Sequence, residues 1–159
     1  MESSQQKYIA AIDQSTTSTK FSIIDQKGNI VEQTMIEHKQ ITPQNGWLEH
    51  DAIEILQNLR LAISTTLGKV KAEKNISKDQ IKAVGVTNQR ETVVAWNKTT
   101  GIPFYHAIVW NDARTVEICR KYIQKHNGDK TVFSHITGLP INTYFSAFKI
   151  RWYAKSIYI

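Results

Sequence analysis

Three short apolar runs separated by two polar turns fill the first 35 residues of this 159-residue chain. The runs cover residues 8–12, 21–24 and 30–35, with a Ser/Thr-rich turn after the first and Lys-Gly-Asn after the second. Apolar runs of this length bounded by turn residues are typical of strands, and short turns join antiparallel neighbours. The sequence therefore predicts a three-stranded antiparallel meander that carries its Ser/Thr turn at one end.

A long amphipathic pattern follows the meander, with apolar residues at every third or fourth position from Ala52 to Val70. Asp51 and Glu54 have the spacing of a capping box at its start. Beyond it the sequence predicts a buried strand at 83–86, strands at 92–96 and 107–110, and helices at 113–126 and 144–156. Strands followed by alternating helices and strands predict an α/β fold with a mixed sheet.

The net charge of +6 comes from lysines that alternate with acidic residues along helical patterns. This arrangement is typical of a solvated surface, and it argues against a nucleic acid partner. The chain has neither a basic leader followed by an apolar run nor a long apolar stretch, so we expect a cytoplasmic protein without membrane insertion. Cys119, the single cysteine, lies on a helical pattern and is predicted to be a packed thiol.

Asp13 is predicted at a strand end, directly before the hydroxyl-rich turn at residues 15–19. A carboxylate beside backbone N–H and hydroxyl donors can hold a hydrated Mg²⁺ and contact nucleotide phosphates. The alternative is that these residues simply form the turn through their own hydrogen bonds. The chain has no P-loop and no glycine-rich dinucleotide motif.

Arg90 and Glu91 belong to a second polar segment, residues 88–91, at the end of a predicted strand. A guanidinium beside a carboxylate suits a polyol, because each hydroxyl both donates and accepts hydrogen bonds. Trp110 and Tyr144 would supply an apolar wall for the carbon backbone. An ion pair at a sheet edge is the alternative interpretation of Arg90 and Glu91.

Six segments occur in the order that is found in one enzyme family. They are residues 13–19 (DQSTTST), 46–51 (GWLEHD), 85–92 (GVTNQRET), 108–115 (IVWNDART), 137–140 (TGLP) and 143–147 (TYFSA). Together they resemble the FGGY carbohydrate kinases, and the third segment is similar to that of the glycerol kinases within that family. The resemblance implies an actin-like, ribonuclease-H-like mixed sheet with flanking helices, of which residues 1–159 would be an incomplete N-terminal domain.

The resemblance further implies transfer of the γ-phosphate of ATP to glycerol with Mg²⁺, forming sn-glycerol 3-phosphate, and a homo-oligomeric parent protein. Arg90, Glu91 and Tyr144 would bind glycerol hydroxyls, and Trp110 would line the carbon side. Asp13 would also face the metal. The residues implied to contact ATP phosphates are Asp13, Gln14, Ser15, Thr16, Thr17, Ser18 and Lys20.

Three positions depart from the family pattern: Ser15 stands where many members have glycine, Lys20 where arginine is common, and Ala52 where proline often begins the helix. Ser15 is expected to tighten the turn, and Lys20 to replace a forked phosphate contact by a point charge. The family's catalytic aspartate would lie beyond residue 159, so the isolated chain is expected to be nearly inactive. A non-catalytic polyol-binding or regulatory isoform and a kinase for another polyol or sugar are the alternatives.

Overall fold

The computed structural model describes residues 6–157, which form two compact units. Unit 1 contains the chain up to Lys39 together with Ile53–Gln89, and unit 2 contains Gln40–Ala52 together with the chain from Arg90 onward. In chain order the strands and helices are β1 (Tyr8–Gln14), β2 (Ser18–Ile24), β3 (Ile30–Glu37), β4 (Glu49–His50), α1 (Ala52–Lys74), β5 (Ile81–Asn88), β6 (Ala107–Ile108), α2 (Val116–Lys125), α3 (Ser134–Thr137) and α4 (Ser146–Ser156).

Unit 1 is built on a mixed four-stranded sheet in the order β3-β2-β1-β5. β1, β2 and β3 are antiparallel neighbours, with Ile12 opposite Phe21 and Phe21 opposite Thr34. β5 runs parallel to β1, with Val86 opposite Ile12. A parallel strand requires a crossover connection, and α1 lies in that connection. The predicted meander and the α/β class with a mixed sheet are confirmed.

The buried core of unit 1 contains residues from the sheet and from α1. Ala62, Thr66 and Val70 are buried at intervals of four residues, which places them on one face of the helix. The Thr66 hydroxyl donates to the Thr34 hydroxyl at 2.8 Å. Ile23 on β2 is fully buried, which contributes about 1.5–3 kcal/mol. The predicted apolar face of the helix is confirmed over its C-terminal half.

β5 is confirmed as a strand, but its predicted burial is wrong. Val84 is 56% exposed and Val86 is 71% exposed. The strand lies at the edge of the sheet, where β1 is its partner in the described chain. Ile81, at the start of β5, packs against the core of unit 1. Within residues 6–157, no later residue of the strand does so. An apolar composition predicted burial that the described neighbours do not provide.

The two strands predicted between residues 92 and 110 are largely absent from the described structure. β6 is two residues long and pairs with β4. The segment before it contributes single bridges, Val93 to Ile108 and Trp96 to Pro103. Pro103 has no N–H to continue a ladder, and Gly101 adopts a φ of +73°, which turns the chain sharply. Pairing between Trp96 and Pro103 therefore stops after one bridge.

Both predicted helices of unit 2 exist, but they begin later than predicted. α2 begins at Val116, directly after a turn in which the Val116 N–H donates to the Ala113 carbonyl at 3.1 Å. α3 was not predicted, and it ends at Thr137, directly before Gly138, whose φ of +72° is typical of the residue that follows a helix. The Tyr122 ring of α2 contacts the Phe148 ring of α4 at 5.7 Å. Cys119 is buried on α2, which confirms a packed thiol.

Candidate functional site

The Ser/Thr turn of unit 1 joins β1 to β2. The Ser15 N–H donates to the Ser18 carbonyl at 2.9 Å and closes the turn. Ser15 does not have a left-handed φ, so the turn does not require glycine at this position. Its hydroxyl instead donates to Asp13 Oδ1 at 2.5 Å. The departure at Ser15 therefore adds a carboxylate contact without straining the backbone.

Asp13 is held ionised at this turn. The hydrogen bond from Ser15 lowers the pKa of Asp13 below its ordinary value, and Lys20 adds to the effect while burial opposes it. Lys20 Nζ lies 3.3 Å from Asp13 Oδ2, and both side chains are more than a third exposed. Such an exposed pair is weak, so Lys20 can exchange Asp13 for another anion at small cost.

Gln14 takes part in a hydrogen-bond network inside unit 1. Its Oε1 accepts from the Thr19 hydroxyl at 2.6 Å, and its Nε2 lies 2.7 Å from His38 Nε2. Burial lowers the pKa of His38, which favours the neutral ring that can accept from Gln14. The described contacts of the Gln14 amide are therefore structural.

The remaining hydroxyl residues of the turn differ in exposure. Thr17 is exposed, and its carbonyl accepts from the His38 N–H at 2.9 Å. Thr16 is half-buried. Ser18 is 4% exposed at the start of β2, which leaves its hydroxyl little access to a ligand. The phosphate role of these residues stays a prediction.

Glu91 is fixed by the N-terminus of α4 in unit 2. Its Oε2 accepts from both the N–H and the hydroxyl of Ser146, each at 2.6 Å. Glu91 also has a φ of +60°, a conformation that costs a residue other than glycine about 1–3 kcal/mol. Strain of this kind persists where the surroundings hold the residue in place, and it is concentrated at binding and active sites.

The ion pair considered for Arg90 and Glu91 is not formed in the described chain. The Glu91 carboxylate bonds to Ser146, and the exposed Arg90 guanidinium makes no hydrogen bond or ion pair among residues 6–157. The Ser146 hydroxyl is the main cause that lowers the pKa of Glu91, with a smaller effect from the Arg90 charge. An ionised carboxylate and a guanidinium with available donors thus lie at consecutive positions.

Trp110 and Tyr144 meet edge to face in the same unit. Their ring centroids are 5.9 Å apart, and their planes are inclined by 67°. The backbone N–H of Trp110 donates to the hydroxyl of Thr92 at 3.2 Å, which ties the loop that carries Trp110 to the residue after Glu91. The structure therefore brings together Glu91, Trp110 and Tyr144, which the sequence placed in one predicted polyol site.

A buried ionic network supports the loop that carries Trp110. Arg114 is sandwiched between aromatic rings, with Cζ 3.8 Å from the centroid of Trp47. Its Nη2 donates to Glu49 Oε1 at 2.7 Å and to Asp112 Oδ2 at 2.8 Å. Burial opposes the ionisation of Glu49, yet hydrogen bonds from Tyr105, His106 and Arg114 lower its pKa. Asp112 also accepts from the Leu48 N–H at 2.6 Å, which ties the loop to the segment before β4.

Sequence reasoning missed Ser146 and the network around Arg114. Ser146 is separated from Glu91 by 55 positions, and no spacing rule connects them. A signal for the network exists, because the Glu49 and Arg114 positions lie within the two segments GWLEHD and WNDART, each rich in charged and aromatic residues. Buried charges of opposite sign require each other, so oppositely charged residues beside aromatic residues point to such a pair.

The turn around Asp13 meets the requirements of a hydrated Mg²⁺ in part. Magnesium in phosphotransferases is held by one or two carboxylates together with phosphates and water. Asp13 supplies one ionised, accessible carboxylate. Residues 6–157 contain no cluster of three or more His, Cys, Asp or Glu side chains suited to a metal ion. Within that range, no helix combines the length and apolar character needed to cross a membrane.

Comparison with known proteins agrees with the order of these segments. Residues 8–156 match the N-terminal domain of the FGGY family of carbohydrate kinases. A glycerol kinase of Pseudarthrobacter chlorophenolicus is 48% identical over 151 residues, which cover 95% of this chain and 29% of that protein. The chain thus spans about three tenths of the length of the curated relatives it matches.

Solved structures show the same architecture. The crystal structure of Plasmodium falciparum glycerol kinase with ADP has a TM-score of 0.84 and 40% identity, covering 95% of this chain and 29% of that one. Gluconate kinase from Lactobacillus acidophilus has a TM-score of 0.77 at 20% identity, covering 96% and 29%, and shares the fold alone. The predicted actin-like fold and the resemblance to the carbohydrate kinases are confirmed. The chain belongs to the FGGY family of carbohydrate kinases.

Proposed function

We propose that this chain binds glycerol and the phosphates of ATP in a kinase that forms sn-glycerol 3-phosphate. The observation that carries the proposal is the placement of the Glu91 carboxylate, fixed by Ser146, in the same unit as the Trp110 and Tyr144 pair. Glycerol kinases at 48% and 43% identity support the choice of glycerol.

Each wall of the proposed pocket has a separate task. Glu91 accepts hydrogen bonds from glycerol hydroxyls through its oxygens, and Arg90 donates to the hydroxyl oxygens. Trp110 and Tyr144 contact the carbon atoms and keep water away from them, and the Tyr144 hydroxyl also bonds to a glycerol hydroxyl. Hydrogen bonds to charged groups contribute about 1.5–3 kcal/mol each, so the charged pair fixes which hydroxyl is presented for phosphorylation.

The turn after β1 has the complementary task of holding phosphate. Exposed Thr17 and the turn amides supply donors, and Lys20 supplies a positive charge. ATP provides the phosphoryl group, and Mg²⁺ held through Asp13 would neutralise its charge. The proposal assigns positioning to this chain and no catalytic base, because the chain spans about three tenths of the length of its curated relatives. We place the protein in the cytoplasm, where ATP is available.

Titration calorimetry of the purified chain with glycerol tests the polyol site. We expect heat at millimolar glycerol, a loss of affinity of tenfold or more in Arg90→Ala and in Glu91→Gln, and no change in Arg60→Ala, which removes an exposed arginine of unit 1. Absence of binding in the unaltered chain would contradict the proposal.

Two further measurements separate the alternatives. Titration with gluconate and xylulose beside glycerol compares the substrates of kinases that share this fold. Tighter binding of gluconate or xylulose would replace glycerol as the proposed substrate and keep the kinase class. Assay of ATP-dependent glycerol phosphorylation by the protein expressed from its whole gene distinguishes an enzyme from a polyol-binding isoform. Binding without turnover in that protein would favour the isoform.

A further inference from the structure

Lys149 lies on α4 and is fully buried. Its Nζ donates to the Thr143 carbonyl at 3.0 Å and to the Tyr144 carbonyl at 2.5 Å. No carboxylate within residues 6–157 forms an ion pair with it. Burial lowers the pKa of Lys149, although the charges of Glu91 and Asp112 oppose this shift. A lysine side chain is therefore buried inside unit 2, with two backbone carbonyls as its hydrogen-bond acceptors.

An apolar side chain would be the ordinary choice at this position. The helical face that carries Lys149 is otherwise aromatic. Its aromatic residues are spaced three or four positions from Lys149 or from one another, and they are Phe145, Phe148, Trp152 and Tyr153. Burying an ammonium group costs several kcal/mol unless it is hydrogen-bonded, and lysine is almost never fully buried without a partner. The two carbonyls that Lys149 contacts must therefore account for its presence.

Those carbonyls cannot be satisfied by the helix itself. Phe145 is the residue before the first turn of α4, and its carbonyl is the first that the helix can use as an acceptor. The carbonyls of Thr143 and Tyr144 precede it, and Lys149 reaches back over the first turn to both of them. The lysine thereby fixes the two peptide units that carry the Tyr144 side chain.

The same short stretch supplies two walls of the polyol pocket. The Tyr144 ring contacts Trp110, and Ser146, two residues later, holds Glu91. A change in the backbone at 143–144 would therefore move the aromatic wall and alter the start of the helix that orients the carboxylate.

We propose that Lys149 is a positioning residue, which holds Tyr144 against Trp110 and so shapes the aromatic wall of the polyol pocket without touching the ligand. The link to polyol binding rests on the proposed function, whereas the anchoring of the loop does not. The two parts can be measured separately.

Hydrogen exchange of the ligand-free chain measures the anchoring. In Lys149→Met, which keeps the length of the side chain and removes its donors, we expect amides of residues 142–146 to exchange at least tenfold faster. Tyr153→Phe is the matched control, since it removes hydroxyl hydrogen bonds to Val93 and His106 from the same buried helical face. Equal exchange at residues 142–146 in Lys149→Met and the unaltered chain would overturn the proposal.

A double-mutant cycle on glycerol affinity measures the positioning. Lys149→Met alone should weaken binding tenfold or more, and in a Tyr144→Ala background it should weaken binding less than twofold, because the ring it positions is gone. Fully additive effects would mean a general structural role and would contradict the proposal. If Lys149→Met does not fold, Lys149→Gln, which keeps one donor, is used in both experiments with a smaller expected effect. If the unaltered chain binds no glycerol, the proposed function fails, and hydrogen exchange still decides the anchoring.

Discussion

Glu91 and Ser146 are joined by two hydrogen bonds to one carboxylate oxygen, one from the serine N–H and one from its hydroxyl. The bonds connect the residue after Arg90 to the first turn of α4. A carboxylate held on one oxygen keeps the other available, and it stays ionised because the charged form accepts the bonds.

Replacing Ser146 by alanine should raise the pKa of Glu91 toward its ordinary value, because the hydroxyl is the main cause of the lowered pKa. A lowered carboxylate pKa stabilises the fold above the unfolded pKa, and the contribution is lost as pH falls through the folded pKa. Glycerol binding also requires ionised Glu91. The pH below which binding is lost should therefore be higher in Ser146→Ala than in the unaltered chain.

At neutral pH we expect glycerol affinity to fall about tenfold or more in Ser146→Ala, since one hydrogen bond to an ionised carboxylate, of about 1.5–3 kcal/mol, is lost and the N–H remains. Calorimetry as a function of pH measures both effects. Ser134→Ala is the control, because that serine hydroxyl donates to the Leu139 carbonyl, outside the polyol residues. Loss of binding at the same pH in Ser146→Ala and in the unaltered chain would contradict the assignment.

Arg114→Met should destabilise unit 2 by about 3–5 kcal/mol, because it leaves the buried carboxylates of Glu49 and Asp112 without their cation. Urea unfolding followed by tryptophan fluorescence measures the loss, since Trp47 packs on the guanidinium. Arg120→Met removes an exposed arginine paired with Glu117 and should leave the unfolding midpoint unchanged. Similar midpoints for both variants would show that the buried network does not stabilise the unit.

Ser15→Gly should not relieve the turn after β1, because Ser15 already has an ordinary φ. It should instead raise the pKa of Asp13, since the serine hydroxyl is the main cause of the lowered pKa. NMR titration of the Asp13 carboxyl carbon measures this pKa, and Ser15→Ala should raise it equally. A glycine variant more stable than the alanine variant would mean that the turn is strained at this position.

Ile23→Ala should cost unit 1 about 2–5 kcal/mol in the free energy of unfolding, because a fully buried side chain leaves a cavity. Ile30→Ala makes the same change on the same sheet at a position that is 60% exposed. Its effect should stay within about 0.5 kcal/mol. Comparison of the two urea midpoints tests whether the core between β2 and α1 stabilises the unit as the packing indicates.

The elements that the sequence predicts well are those set by local patterns. The meander follows from apolar runs and turn residues. The Ser/Thr turn forms directly after Asp13, as its hydroxyl-rich sequence predicts. The rings of Trp110 and Tyr144 are in contact, and their role as the wall of a polyol site stays a prediction. Each of these features is set by whether nearby residues in the sequence are apolar, polar or aromatic.

The contacts that the sequence could not predict join distant residues. Ser146 reaches Glu91 across 55 positions, and Lys149 interrupts an apolar helical face, a pattern that signals something unusual without naming its acceptors. Val86 was predicted to be buried because it is apolar, yet burial depends on which neighbours cover it. Composition reports the preference of a side chain, and topology decides whether that preference is met.

Within residues 6–157, β5 is the edge strand of the sheet, and this position affects how the chain behaves once it is made. Backbone N–H and C=O groups along an edge strand can pair with a strand of another molecule, and apolar side chains such as Val84 and Val86 favour that pairing. Native sheets usually protect such edges with charges, proline or a covering segment. Concentrated samples of the chain should therefore aggregate through this strand, whereas dilute samples should not.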